Sequence, residues 1–89
     1  MKQKEGFVLR EVCGEPVIMA EGLASLDYDH MLGLNETAAW LWKEAGKQGE
    51  FTIESLASAL CEVYDVTPDV AHQEVSRLVE SWEKEGLVE

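Results

Sequence analysis

The sequence predicts an α+β fold, a three-stranded antiparallel β-meander followed by three helices, on three observations. Residues 7 to 34 hold short runs of β-branched, aromatic and alternating apolar residues divided by turn clusters. From Asn35 onward, apolar residues recur at helical spacing. The change of period falls inside the stretch MLGLNETAAWLWKEAG (Met31–Gly46), with almost no loop between the two patterns. Strands first and helices after, in segregated layers, suggest a winged-helix-like domain with its sheet placed first.

Each element has a local reason. FVLREV (Phe7–Val12) carries β-branched and aromatic residues and reads as the first strand. CGEP (Cys13–Pro16) is a turn cluster, and PVIMA (Pro16–Ala20) a short second strand with proline tolerable at its start. Glu21 and Gly22 break it. In SLDYDHMLGL (Ser25–Leu34), Leu26, Tyr28, His30, Leu32 and Leu34 share one face, giving a third strand that ends at Leu34. Asn35 is a good N-cap and Glu36 suits the positive helix end, so the first helix starts where the strand stops. Ala38, Leu41, Trp42 and Ala45 form its apolar stripe, and Gly46 and Gly49 end it. Thr52 caps a second helix carrying Ile53, Leu56, Ala57, Leu60 and Cys61, closed by Tyr64 and Asp65. Thr67-Pro68-Asp69 combines an N-cap, a proline at the first helical position and an acid. The third helix, Pro68–Glu85, places Ala71, Val75, Leu78, Val79 and Trp82 on one face. Gly86 stops it, and Leu87-Val88 packs back as a tail.

Composition bounds the function. A length of 89 residues fits a single domain, 1–89, near the lower end of what folds alone. The 46% hydrophobic content suits a globular chain. There is no run of 18 apolar residues and no secretory h-region, so the expected location is cytoplasmic, with no membrane partner. Cys13 and Cys61 are too few for a disulfide framework. Seven Lys+Arg face eighteen Asp+Glu, a net charge of -11, which repels nucleic acid and attracts a cationic partner. A winged-helix nucleic-acid-binding regulator is the competing reading. It requires a basic recognition helix, whereas the third helix sets Arg77 and Lys84 against Asp69, Glu74, Glu80, Glu83 and Glu85.

The search for chemistry is largely negative. Cys13, His30, Cys61 and His72 show no CxxC, HxxxH or HExxH spacing, so no metal and no cofactor is expected. Cys61 lies on an apolar stripe and reads as core filling. Asp27 and Asp29 share a strand face roughly 7 Å apart, which more often means a solvated face or an edge guard than acid–base geometry. No catalytic residue is assigned, and the chain is not expected to be an enzyme. What remains is surface for a partner. Trp42 and Trp82 lie on core stripes, while Trp40 points roughly 160° away from Trp42, toward a second contact face or under the meander.

These residues carry a resemblance. LNETAAWLW (Leu34–Trp42) is similar to the LN-x-[ST]-[GA] strand-to-helix junction of the PqqD family. FVLREVCGEPVIMAEG resembles that family's first two strands, FTIESLASALCEVYDV (Phe51–Val66) its threonine-capped helix, and VSRLVESWEKEGLVE (Val75–Glu89) its closing helix. The order and spacing of these stretches make the combination fairly specific, from about Phe7 onward. The resemblance implies a peptide-recognition element that binds the leader of a ribosomally synthesised precursor peptide. It would present that peptide to a separate modifying enzyme, often a radical S-adenosylmethionine protein. In the family the leader adds as a strand to the third strand and lies against the third helix, which is β-augmentation.

The implied contacts fall on Asp29, His30, Met31, Leu32, Gly33 and Leu34 and on Val75, Leu78, Val79 and Trp82. The residues themselves agree, since the outer strand of a meander is an open edge and the third helix offers ample apolar surface. Core packing is the alternative for each of the four helix residues. The EGLASLDYDH stretch is longer than in the family's proteins of quinone-cofactor synthesis, so that product is not assigned. An open edge also leaves monomer and homodimer as alternatives.

Overall fold

The computed structural model describes residues 1–21 and 32–89. Its elements run β1 (Phe7–Val12), β2 (Glu15–Ala20), β3 (Leu32–Gly33), α1 (Glu36–Gln48), α2 (Ile53–Val63) and α3 (Pro68–Glu85). The three strands form one antiparallel sheet in the order β1-β2-β3, followed by three helices, as the period change predicts. The expected upstream part of the third strand, from Ser25 to Met31, lies outside the described residues.

Local chemistry accounts for the joints. The hairpin turns on two residues, Cys13 at φ 53 and Gly14 at φ 80, so the turn is shorter than the four-residue cluster suggests. Two positive φ angles in succession match the tight turn whose twist suits a hairpin. Pro16 sits second in β2, opposite Glu11. Leu34 donates its N–H to the Pro16 carbonyl at 3.0 Å, so the missing proline N–H falls at the end of the β2–β3 ladder.

Asn35 caps α1, its side-chain oxygen accepting the Ala38 N–H at 2.8 Å. Gly46 lies inside that helix, and Gly49 at φ 76 ends it. Thr52 and Ser55 exchange side-chain-to-backbone bonds at the start of α2. Thr67 accepts the Val70 N–H at the start of α3, and Gly86 in the left-handed region closes that helix.

One sheet face meets the helices. The register pairs Phe7 with Ala20, Leu9 with Ile18 and Ile18 with Leu32, and all of these pack toward the core. At the centre, Trp82 meets Trp42 edge to face at 5.0 Å and Phe51 at 6.2 Å. Val75, Val79, Leu56, Leu60 and the tail residue Leu87 complete this buried cluster.

The first four residues, left unassigned by the sequence reading, form a strap. Lys2 bridges to Glu50 and Gln3 to Val88, tying the α1–α2 connection to the C-terminal tail. Backbone bonds of 2.7–2.9 Å join Met1 to Phe51, Lys2 to Glu89 and Lys4 to Leu87. The Gln3 amide also donates to the Trp42 carbonyl at 2.6 Å.

Candidate functional site

The backbone of β3 follows from its register. In an antiparallel pair, residues whose N–H and C=O face the neighbouring strand alternate with residues whose groups face away. Leu34, opposite Pro16, donates into β2, and Leu32, opposite Ile18, falls in the same phase. Gly33, opposite Val17, therefore directs both backbone groups to the outer side of the sheet. No described strand pairs there. Gly33 is exposed, and a methyl group added to it would meet nothing within 4 Å. Leu32 and Leu34 are half-buried on the helix-facing side. The other expected strand contacts, Asp29, His30 and Met31, and the pair Asp27 and Asp29, lie outside the described residues.

A groove of about 250 Å³ opens where β3 passes through Asn35 into α1. Thr37, Ala38 and Leu41 form its α1 side. Glu74, Arg77, Leu78 and Ser81 form its α3 side. Leu41, at 1% exposure, is its apolar floor.

The four expected helix contacts take different places. Val75, Val79 and Trp82 belong to the buried core cluster, and none of them lines the groove. Of the four helix candidates only the half-buried Leu78 lines the groove. The reason is rotational. At 100° per residue the stripe 74/77/78/81 lies roughly a quarter turn around α3 from the stripe 71/75/79/82. In a domain this small the more apolar stripe is taken up by the core. The i, i+3, i+4, i+7 spacing of Glu74, Arg77, Leu78 and Ser81 was available in the sequence, but its mixed polarity gave no hydrophobic signal.

The remaining candidates also have places. Trp40 is half-buried against Tyr64, edge to face at 5.8 Å. Together they line a separate cleft beside the β1–β2 hairpin with Leu9 and Pro16. Cys61 is half-buried against the core, as read from its stripe, and Cys13 is exposed in the turn. Cys61 and His72 border one shallow cleft between α2 and the start of α3, a proximity the sequence spacing does not signal. Among the described residues no three of His, Cys, Asp and Glu gather closely enough to hold a metal ion. No described helix is long and apolar enough to cross a membrane.

Fold and site together define a winged-helix-like α+β domain whose outer sheet edge, unpaired among the described residues, lies near an interhelical groove. The chain belongs to the PqqD family: the family model described as Coenzyme PQQ synthesis protein D (PqqD) matches residues 17–88. The matched region starts inside β2, so β1 precedes it. No curated protein matches the sequence. Among solved structures the chain is similar to "TbiB1 in Complex with the TbiA(beta) Leader Peptide", with a TM-score of 0.76. That similarity covers 100% of this chain and 95% of the other at 17% identity, a likeness of fold.

Proposed function

We propose that the chain is a recognition module, 1–89, that binds the leader segment of a ribosomally synthesised precursor peptide. The leader adds as a strand to the outer side of β3 and seats apolar side chains in the groove between α1 and α3. The observation that carries this reading is Gly33, whose two outward backbone groups stand beside a groove floored by Leu41. Each backbone bond formed contributes about 0.5–1.5 kcal/mol whatever the peptide's sequence. Contacts at Leu34 on the strand and at Leu78 on the groove wall then select the partner. Membership of the PqqD family and the leader peptide held by TbiB1 support the same reading. The module performs no chemistry itself. It works in the cytoplasm and hands the precursor to a separate modifying enzyme of the radical S-adenosylmethionine class. The test is fluorescence anisotropy with the labelled leader of a short precursor encoded beside the gene. Saturable binding at micromolar protein is the expected outcome. Its absence with correctly folded protein, in the presence of the neighbouring enzyme as well, would reject the proposal.

A further inference from the structure

We propose that Arg77 makes the groove selective for a peptide bearing an acidic side chain, Asp or Glu, beside Leu78. This rests on the reading of the groove as a peptide site. Arg77 is the one cationic side chain among the described residues lining it. It is exposed and makes no ion pair or hydrogen bond among the described residues, so its guanidinium fork is available for a carboxylate. The hydroxyls of Thr37 and Ser81, one on each wall, are also without side-chain partners among the described residues and can complete the lone pairs of that carboxylate.

The setting makes the preference position-specific. With a net charge of -11, the molecule repels acidic peptides at long range. Glu74, one turn before Arg77 on the same groove wall, repels an acid locally. An acid is therefore favoured at one point along the peptide and disfavoured at its neighbours, which fixes register as well as identity. A peptide lying over the groove also covers the pair, so its contribution exceeds that of a fully exposed ion pair.

The experiment is selection of a phage-displayed library of random peptides, each about 12 residues, enough to span an edge strand, on the immobilised full chain. Arg77→Glu and Arg77→Lys run in parallel, and circular dichroism checks the fold of both. Binders to the unsubstituted chain are expected to share one acidic position flanked by apolar residues. Arg77→Glu should replace it with Lys or Arg, and Arg77→Lys should keep the acid. A consensus peptide resynthesised with that acid changed to Gln should bind about tenfold more weakly, near 1.4 kcal/mol. Apolar consensus binders without an acidic position, or an unchanged consensus with Arg77→Glu, would overturn the role of Arg77 while leaving the groove intact. No enrichment on the unsubstituted chain would overturn the peptide site itself.

Discussion

Trp82 and Cys13 show what single residues do in this chain. Trp82 is fully buried, with its indole nitrogen unpaired among the described residues and its ring edge-on to Trp42 and Phe51. Its place on the apolar face of Ala71, Val75, Leu78, Val79 and Trp82 was legible in the sequence, but that face left core packing and peptide contact as alternatives, and only the packing shows its ring in the core. Trp82→Ala is expected to cost about 3–5 kcal/mol, measured by urea unfolding. A loss under 1 kcal/mol would place its ring outside the tight packing. Cys13 occupies the left-handed region at φ 53, where a side chain other than Asn, Asp or Gly is strained. Cys13→Asn is expected to stabilise by about 0.5–1 kcal/mol, since asparagine followed by glycine suits this turn. An unfolding midpoint that stays put or falls would show that the turn carries no such strain. The turn itself was legible at CGEP, but its two-residue length was not, because cysteine gives no signal for a positive φ.

At the scale of elements, α1, α2 and α3 were readable because their ends carry explicit signals. Asn35, Thr52 and Thr67 each accept a backbone N–H of the first turn, and Gly49 and Gly86 close two of the three helices. The phase of β3 was not readable, since a sequence shows which side chains share a face but not which backbone groups point outward. That phase separates two substitutions. Gly33→Pro removes an outward N–H from an edge, where proline is tolerated. It should change stability by less than about 1 kcal/mol and weaken peptide binding at least about tenfold, by loss of one backbone bond and its neighbour's alignment. Leu32→Pro removes an N–H facing Ile18 and should break the β2–β3 ladder itself, with loss of the fold signal in circular dichroism. If Gly33→Pro binds as tightly as the unsubstituted chain, the peptide does not add at this residue. The groove wall on α3 was hidden for a related reason. Its stripe mixes Glu74, Arg77, Leu78 and Ser81, and only the packed structure shows that the neighbouring apolar stripe is spent on the core. The strap from Met1 to Lys4 was equally hidden, because its pairing partners Glu50, Val88 and Glu89 are distant in sequence and bond through the backbone.

For the whole molecule, charge is the governing quantity. Ion pairs among the described residues, such as Lys2–Glu89, Arg10–Glu21 and Lys84–Glu80, cancel equal charges and so leave the net charge of -11 intact on a body of 39 × 28 × 20 Å. The two shorter dimensions fall within the screening length of about 30 Å at 0.01 M salt, whereas all three exceed the roughly 8 Å at 0.15 M. Raising sodium chloride over that range is expected to stabilise the fold, by up to about 1 kcal/mol, as self-repulsion is screened. A fall in the unfolding midpoint would mean that the ion pairs outweigh the repulsion. The same excess argues against duplex DNA as a partner, and the charge of α3 agrees, since Lys84 is engaged with Glu80. The proposal that most needs a direct test is that a peptide strand adds to β3 beside the α1–α3 groove. The measurement is an amide chemical-shift titration of the labelled chain with the leader of the adjacent precursor. Shifts concentrated at Leu32–Leu34, Thr37–Leu41 and Glu74–Ser81, saturating together, are the expected result. Saturable shifts confined to the Cys13-Gly14 hairpin, Trp40 and Tyr64, with Gly33 unmoved, would place the peptide elsewhere and contradict it.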